Sequence, residues 1–299
     1  MDDVATVVVG RYPHTGALRR GEVTPHLTAL RFHDVEPVHD AFDAMVADLR
    51  YDVCEIAVAA FFQAVGAGRP LKLLPAVTLG RHQHGSIYVD PRAADRLGIR
   101  TPADLAGHRI AVRSYSQTTG MWVRGILAAE HGLDAGSVTW LTTEASHLAG
   151  FTDPPWAVPA PAGSSVLELL ETGAVQAAVH APGLPVTDWC RPLIADAETA
   201  ATAYAQELGA VPVNHLLCVG PRLAADPVRI ADLEDAVRRS YAASGSLDEP
   251  AGGATVDRAA ITRALERALV MAEAQGLVAP GLRVEDMFAT ATTDVGGTR

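Results

Sequence analysis

The sequence predicts an α/β chain of two lobes, with mixed sheets flanked by helices and a ligand cleft between the lobes. Three observations carry that expectation. Short apolar, β-branched runs alternate with helix-periodic stretches, the pattern of βα units in a covered sheet. The 299 residues amount to about two domains at roughly 150 residues each. A polar loop followed by a short apolar strand occurs twice, at 86–89 and 211–219, where the chain is expected to cross between lobes. Lobe one is then 1–88 plus 213–299, and lobe two 89–212.

Composition narrows the class. With 48% hydrophobic and 20% charged residues, the chain has enough apolar surface for a real core. Its 24 basic and 35 acidic residues leave a net charge of −11, which argues against nucleic acid or an anionic membrane as partner. An anionic small molecule held by a few arginines stays compatible with that sum. Cys54, Cys190 and Cys218 are widely spaced and form no CxxC, as expected of reduced thiols. The opening Met-Asp-Asp-Val-Ala has neither a basic region nor a long apolar run, so no signal peptide is expected and the location is read as cytoplasmic. No apolar run approaches the ~20 residues of a membrane span.

Taken in order, residues 4–9 form a β-branched strand ending at Gly10. The loop Arg11-Tyr12-Pro13-His14-Thr15-Gly16 therefore sits at a strand's carboxyl end, where open α/β sheets bind ligands. Val38, Phe42, Met45, Val46 and Leu49 mark an amphipathic helix. Residues 51–54 read as a strand with Glu55 at its end, 57–65 as a buried helix and 71–77 as a strand. Gly80-Arg81-His82-Gln83-His84-Gly85 is a polar loop, and Thr101-Pro102-Ala103-Asp104 resembles a capped helix start.

Residues 109–127 read as strand, polar loop and helix. Ile110, Ala111 and Val112 suit a buried strand, while Met121, Trp122, Gly125 and Ile126 recur at helical spacing. Thr118 or Thr119 is placed to cap that helix. Its N-terminus offers free N–H groups and a positive dipole end, and Arg113 and Arg124 flank the turn with guanidinium forks suited to a carboxylate. Further on, 138–141 and 174–179 read as strands, with 164–172, 195–208, 229–242 and 258–275 as helices. The proline-rich 145–163 and the stretch 181–192 read as loops. Residues 244–253 are expected to be mobile, and the end from Thr293 frayed.

Five segments in order resemble the 4,5-dihydroxyphthalate decarboxylase family: Gly10-Arg11-Tyr12-Pro13-His14-Thr15-Gly16-Ala17-Leu18, Tyr51-Asp52-Val53-Cys54-Glu55, His84-Gly85-Ser86-Ile87-Tyr88-Val89, Trp122-Val123-Arg124-Gly125-Ile126-Leu127, and Val211-Pro212-Val213-Asn214-His215. Arg113 stands where a proline is expected, and the loop Ser116 to Gly120 looks like that of a distinct subgroup. The resemblance implies a type II periplasmic-binding-protein-like fold and a cofactor-independent decarboxylase of a hydroxylated aromatic (di)carboxylate. The reaction adds a proton to the carboxylate-bearing carbon and releases CO₂, with electrons from the ring hydroxyls. It calls for an acid, a base and cations that hold carboxylate.

His84 and His215, each at a predicted crossing, are the candidate acid and base, since imidazole titrates near neutrality. Glu55 is the candidate base or orienting group. Arg11, Arg81, Arg113 and Arg124 are candidate carboxylate holders. Tyr12, Thr15, Tyr115, Thr118, Thr119 and Asn214 are candidate hydrogen-bonding partners of the substrate. His82 and His84 at alternate positions could instead start a metal site, but no third ligand follows at a suggestive spacing. GxGxxG, Walker, GxSxG and HExxH motifs are absent, which removes support for nucleotide, serine-hydrolase and zinc-protease readings. The rival readings are a solute-binding protein or sensor without chemistry and another cofactor-free lyase such as chorismate dehydratase. A homo-oligomer is compatible with either.

Overall fold

The structure, a computed structural model, describes residues 4–247 and 253–292. Residues 248–252 of the 244–253 stretch read as mobile, and the end from Thr293 read as frayed, lie outside the described residues. In chain order the first elements are β1 (Val4–Val8), α1 (Pro13–Arg19), β2 (Ala29–Phe32), α2 (Phe42–Asp48), β3 (Val53–Ala57), α3 (Val58–Gly66), β4 (Lys72–Gly80), β5 (Ile87–Val89) and α4 (Pro91–Leu97). Then come β6 (Arg109–Val112), α5 (Thr118–His131), β7 (Thr139–Thr142), β8 (Ala157–Pro159), α6 (Val166–Glu171), β9 (Ala177–Val179), β10 (Arg191–Pro192) and α7 (Ala197–Leu208). The chain closes with β11 (Val213–Val219), α8 (Pro221–Ala224), α9 (Pro227–Ala243), α10 (Arg258–Ala274) and α11 (Val284–Met287).

These elements form two compact units. The first comprises Met1–Arg81, Gly209–Leu269 and Ala279–Arg299; the second comprises His82–Leu208 and Val270–Val278. The grouping of 270–278 with the second unit is not announced by the hydropathy pattern. It follows from side-chain contacts: Gln275 bonds Arg124 and the Met121 carbonyl, and Met271 lies against Gly125.

The first unit is built on a five-stranded sheet, ordered β2-β1-β3-β11-β4. β1 is parallel to β2 and β3, while β11 runs antiparallel to β3 and β4. β2, Ala-Leu-Arg-Phe at the edge, is half exposed and carries too weak a pattern to be read from sequence. The core gathers Val7, Val53, Leu217, Val219, Leu233, Val237 and Tyr241. At ~1.5–3 kcal/mol for each fully buried Val or Leu, these side chains offset the cost of placing one hydrogen-bonded carboxylate among them.

That carboxylate is Glu55, and its position corrects the sequence reading. Glu55 lies in the middle of β3, opposite Leu217 of β11, and not at the strand's end. An ionic side chain is tolerated there because its oxygens are hydrogen-bonded.

The second unit has a six-stranded sheet, ordered β10-β5-β9-β6-β7-β8. β6 is parallel to β7 and β9, and β5 is antiparallel to β9 and β10. Its core includes Tyr88, Ala111, Leu141, Leu169, Leu170 and Val175. The proline-rich stretch read as a loop contributes β8, whose Pro159 is accommodated because the strand is at the sheet edge. Thr118 and Thr119 do not cap α5. Gln117 is the extended N-cap residue, and both threonines lie in the first turn. Thr101 and Asp104 form the expected capping box, but it opens a short 3-10 turn, Pro102–Leu105. Among the described residues, no helix is long and apolar enough to cross a membrane.

Candidate active site

The first unit brings three residues picked from the sequence onto one oxygen atom. In the β3–β11 ladder, His215 is opposite Ala57 and Leu217 opposite Glu55, so Glu55 and His215 share a sheet face as diagonal neighbours. His215 Nδ1 lies 2.7 Å from Glu55 Oε1. Tyr12 is the N-cap residue of α1, with Pro13 opening the helix. Its hydroxyl donates to the same Oε1 at 2.8 Å. The Gly10 N–H, just past β1, donates to Glu55 Oε2 at 2.9 Å. Phe42 of α2 meets the His215 ring edge-on, with centroids 5.3 Å apart and planes at 86°.

Exposure divides the roles. The Glu55 side chain is fully buried, whereas that of His215 is 18% exposed. Burial works against ionising Glu55, but the hydrogen bond and charge of His215, with the Gly10 and Tyr12 donors, hold the carboxyl below its ordinary value of 4.5. An ionised carboxylate only accepts, so His215 Nδ1 must be the donor. In a neutral imidazole the lone pair then sits on Nε2, and an imidazolium has Glu55 as its counter-ion. Burial and the Glu55 charge together push the Tyr12 hydroxyl well above its ordinary value of 10.0, so it keeps its proton. Arg81, just beyond β4, is half-buried and near enough to Tyr12 for their charges to couple; burial lowers its affinity for the proton.

The other first-unit candidates are placed differently. Thr15 is buried and shapes the loop, its hydroxyl donating to the Gly10 carbonyl at 2.8 Å and accepting from the Tyr12 N–H at 3.1 Å. The Arg11 side chain is 66% exposed and pairs with Asp34 at 2.9 Å. This surface pair replaces the expected carboxylate contact. Asn214 is buried and precedes His215 on β11, at a point where the pairing of β11 with β4 shifts register.

In the second unit, His84 is 1% exposed and its Nε2 lies 3.2 Å from both carboxylate oxygens of Glu130. Its ring meets Tyr204 edge-on at 5.4 Å. Arg113 pairs with Glu144 at 3.3 Å. Thr118 and Thr119 are buried in the first turn of α5.

Tyr115 and Arg124 belong to the second unit's interior, which corrects their expected ligand role. Tyr115 is fully buried; its hydroxyl donates to the Gln275 carbonyl at 3.3 Å and accepts from Trp156 Nε1 at 3.0 Å. Arg124 is 1% exposed. Its Nε donates to Gln275 Oε1 at 2.6 Å and its Nη2 to the Tyr115 carbonyl at 2.5 Å, with the guanidinium 3.9 Å above the Tyr115 ring. Burial pulls its pKa down to about 10.

The roles of several partners were not legible in the sequence. Gly10, Phe42, Glu130 and Gln275 carry no chemical motif, and each meets its partner only through tertiary packing. The single available signal was Gly10, a glycine immediately after a predicted strand, where a close backbone approach is common. Among the described residues, no three His, Cys, Asp or Glu side chains gather in a metal-holding group.

No family model matches the chain. It is 28% identical over 243 residues to the 4,5-dihydroxyphthalate decarboxylase of Comamonas testosteroni, covering 73% of this chain and 68% of that protein. It is 32% identical over 143 residues to the protein of the same name from Pseudomonas putida, covering 46% of this chain and 51% of that one. The chain thus spans about half the length of the second relative. These likenesses support the family resemblance and, through the relatives' names, an enzyme of the decarboxylase class. The fold is that of periplasmic-binding-protein-like proteins. A periplasmic sulfonate-binding protein from Methylobacillus flagellatus matches with a TM-score of 0.55 at 11% identity, over 97% of this chain and 93% of that one. The aliphatic sulphonate binding protein of Escherichia coli matches with a TM-score of 0.52 at 12% identity, over 96% and 97%.

Proposed function

We propose that this chain is a decarboxylase of a hydroxylated aromatic carboxylate, similar to 4,5-dihydroxyphthalate, in which the Glu55–His215 pair handles the proton. The observation that carries the reading is the 2.7 Å contact between a fully buried carboxylate and a partly exposed imidazole. The reaction class comes from the two relatives' names.

In this reading the His215 imidazolium gives its Nε2 proton to the ring carbon that bears the carboxylate. The ring hydroxyls supply the electron density that accepts it. The bond to the carboxyl carbon then breaks, its electrons restore the aromatic ring, and CO₂ leaves. His215 ends neutral and regains a proton from water. One proton is consumed for each CO₂ released, and no electrons are exchanged with an outside carrier, so the step needs no metal or organic cofactor. Glu55 holds the imidazole in one orientation and balances its charge. A positioned acid of this kind contributes typically ~10²–10⁴-fold in rate. Arg81, beside Tyr12, is the first-unit cation assigned to a substrate oxygen. The enclosure of His84 leaves the proton transfer to His215 alone.

A second reading, binding of a small carboxylate without turnover, is favoured by the fold, which suits small-molecule binding. One experiment separates the two. Hydroxylated benzoates and phthalates are incubated with the protein in heavy water, with and without a chelator, and followed by mass spectrometry. Loss of CO₂ with one deuterium on the ring, unaffected by chelator, is the expected result. A compound that raises the melting temperature but is recovered unchanged after long incubation would sink the decarboxylase reading in favour of binding. A chelator-sensitive turnover would overturn cofactor independence.

A further inference from the structure

Tyr12 reaches Glu55 with its ring set against two neighbours. One is Gly10. A Cβ at this position would fall 2.5 Å from Cε2, 2.7 Å from Cζ and 2.9 Å from the hydroxyl of Tyr12, so only glycine lets the phenol lie this close. The other is His14, whose ring stacks on Tyr12 with planes 6° apart and centroids at 5.1 Å.

His14 is itself rigidly placed. It is buried, and Tyr241 of α9 lies against it at 4.6 Å. Tyr241 is in turn anchored by its hydroxyl to the Val77 carbonyl at 3.0 Å. The Thr78 backbone lies near the His14 ring, and the ring Nε2 has no hydrogen-bond partner. Burial favours the neutral ring, so a flat uncharged surface faces the phenol.

Tyr12 and His215 donate to the same atom, Glu55 Oε1, at 2.8 and 2.7 Å. Two donors on one oxygen share its electron density, so each bond depends on the other. We propose that His14 is a positioning residue for the Glu55–His215 pair: by stacking on Tyr12 it keeps the phenol as second donor to Oε1, and so sets how tightly the carboxylate holds the His215 Nδ1 proton. This rests on the reading that Glu55 and His215 move the proton.

The test is the low-field proton resonance of His215 Nδ1–H, recorded on the full chain without substrate. Tyr12→Phe removes the competing donor and is expected to move the resonance downfield. His14→Ala is expected to move it the same way, because the phenol is released, and the double variant should move no further than Tyr12→Phe alone. His14→Phe keeps a flat ring and is expected to leave the resonance in place. His14→Leu fills the volume without a flat face and should behave like His14→Ala, which keeps the test alive if the alanine variant does not fold. A resonance that Tyr12→Phe moves but His14→Ala and His14→Leu do not would reduce His14 to a space-filler and overturn the proposal. So would a resonance indifferent to Tyr12→Phe. No turnover enters this measurement, so its failure is distinct from failure of the heavy-water assay.

Discussion

Two histidine–carboxylate pairs among the described residues, Glu55–His215 and His84–Glu130, are built in opposite senses. In the first unit the carboxylate is buried and the imidazole reaches solvent: Glu55 is 0% and His215 18% exposed. In the second unit the imidazole is buried and the carboxylate is partly open: His84 is 1% and Glu130 34% exposed. A buried Glu55 with three donors keeps its charge and orients the His215 ring through Nδ1, leaving Nε2 to the proposed proton transfer. A buried His84 spends its Nε2 on Glu130, and its Nδ1 is enclosed without a partner. The same two residue types therefore form the proposed proton-handling pair in one place and an interior tether in the other. Which partner is buried decides between them.

The comparison breaks most easily at His215. His215→Gln is expected to lower kcat by about 10²–10⁴-fold in a CO₂-release assay, with the fold intact by circular dichroism. Retention of full turnover would end the assignment. Glu55→Gln comes next, with a smaller loss of kcat, because the amide keeps the shape but not the charge that balances the imidazolium.

Glu55→Gln also has a stability signature. The folded-state pKa of Glu55 is depressed, so its contribution is complete above the ordinary value of 4.5 and is lost as pH falls through the lower folded value. The wild-type chain should lose stability in that acidic window more steeply than Glu55→Gln. Denaturant melts from neutral pH down to below pH 4.5 check this, and parallel slopes would contradict it.

The second-unit pair sharpens the contrast. His84→Leu removes a buried ring that packs on Tyr204, and is expected to cost about 1–2 kcal/mol in a urea melt while kcat is unchanged. A collapse of kcat with unchanged stability would restore His84 as a proton carrier. Glu130→Gln should have the smallest effect, no more than ~1 kcal/mol, since a partly exposed ion pair contributes little. A larger loss would mean that the pair, and not the ring's packing, holds that region.

Much of the architecture was legible because it rests on local pattern. β1, the 109–127 strand–loop–helix and the long helices α9 and α10 follow from apolar periodicity. The errors fell where tertiary packing overrode that pattern. Glu55 was read as ending a strand because an acid interrupts an apolar run, yet pairing with β11 carries the strand through it. The prolines around 154–161 concealed β8, which an edge position permits. Arg124 had the motif of an anion ligand, but Gln275, far along the chain, claims it for the interior.

The sequence by itself determined the alternation of strands and helices and the set of titratable side chains, since these depend on residue type and short-range spacing. It also carried the family resemblance, through five short segments. Only the tertiary structure decided that Tyr12, Glu55 and His215 meet at one oxygen while Tyr115 and Arg124 are sealed away. Hydrogen bonding and desolvation act over a few ångströms in space, and residues 160 positions apart reach that range only once the sheet has formed.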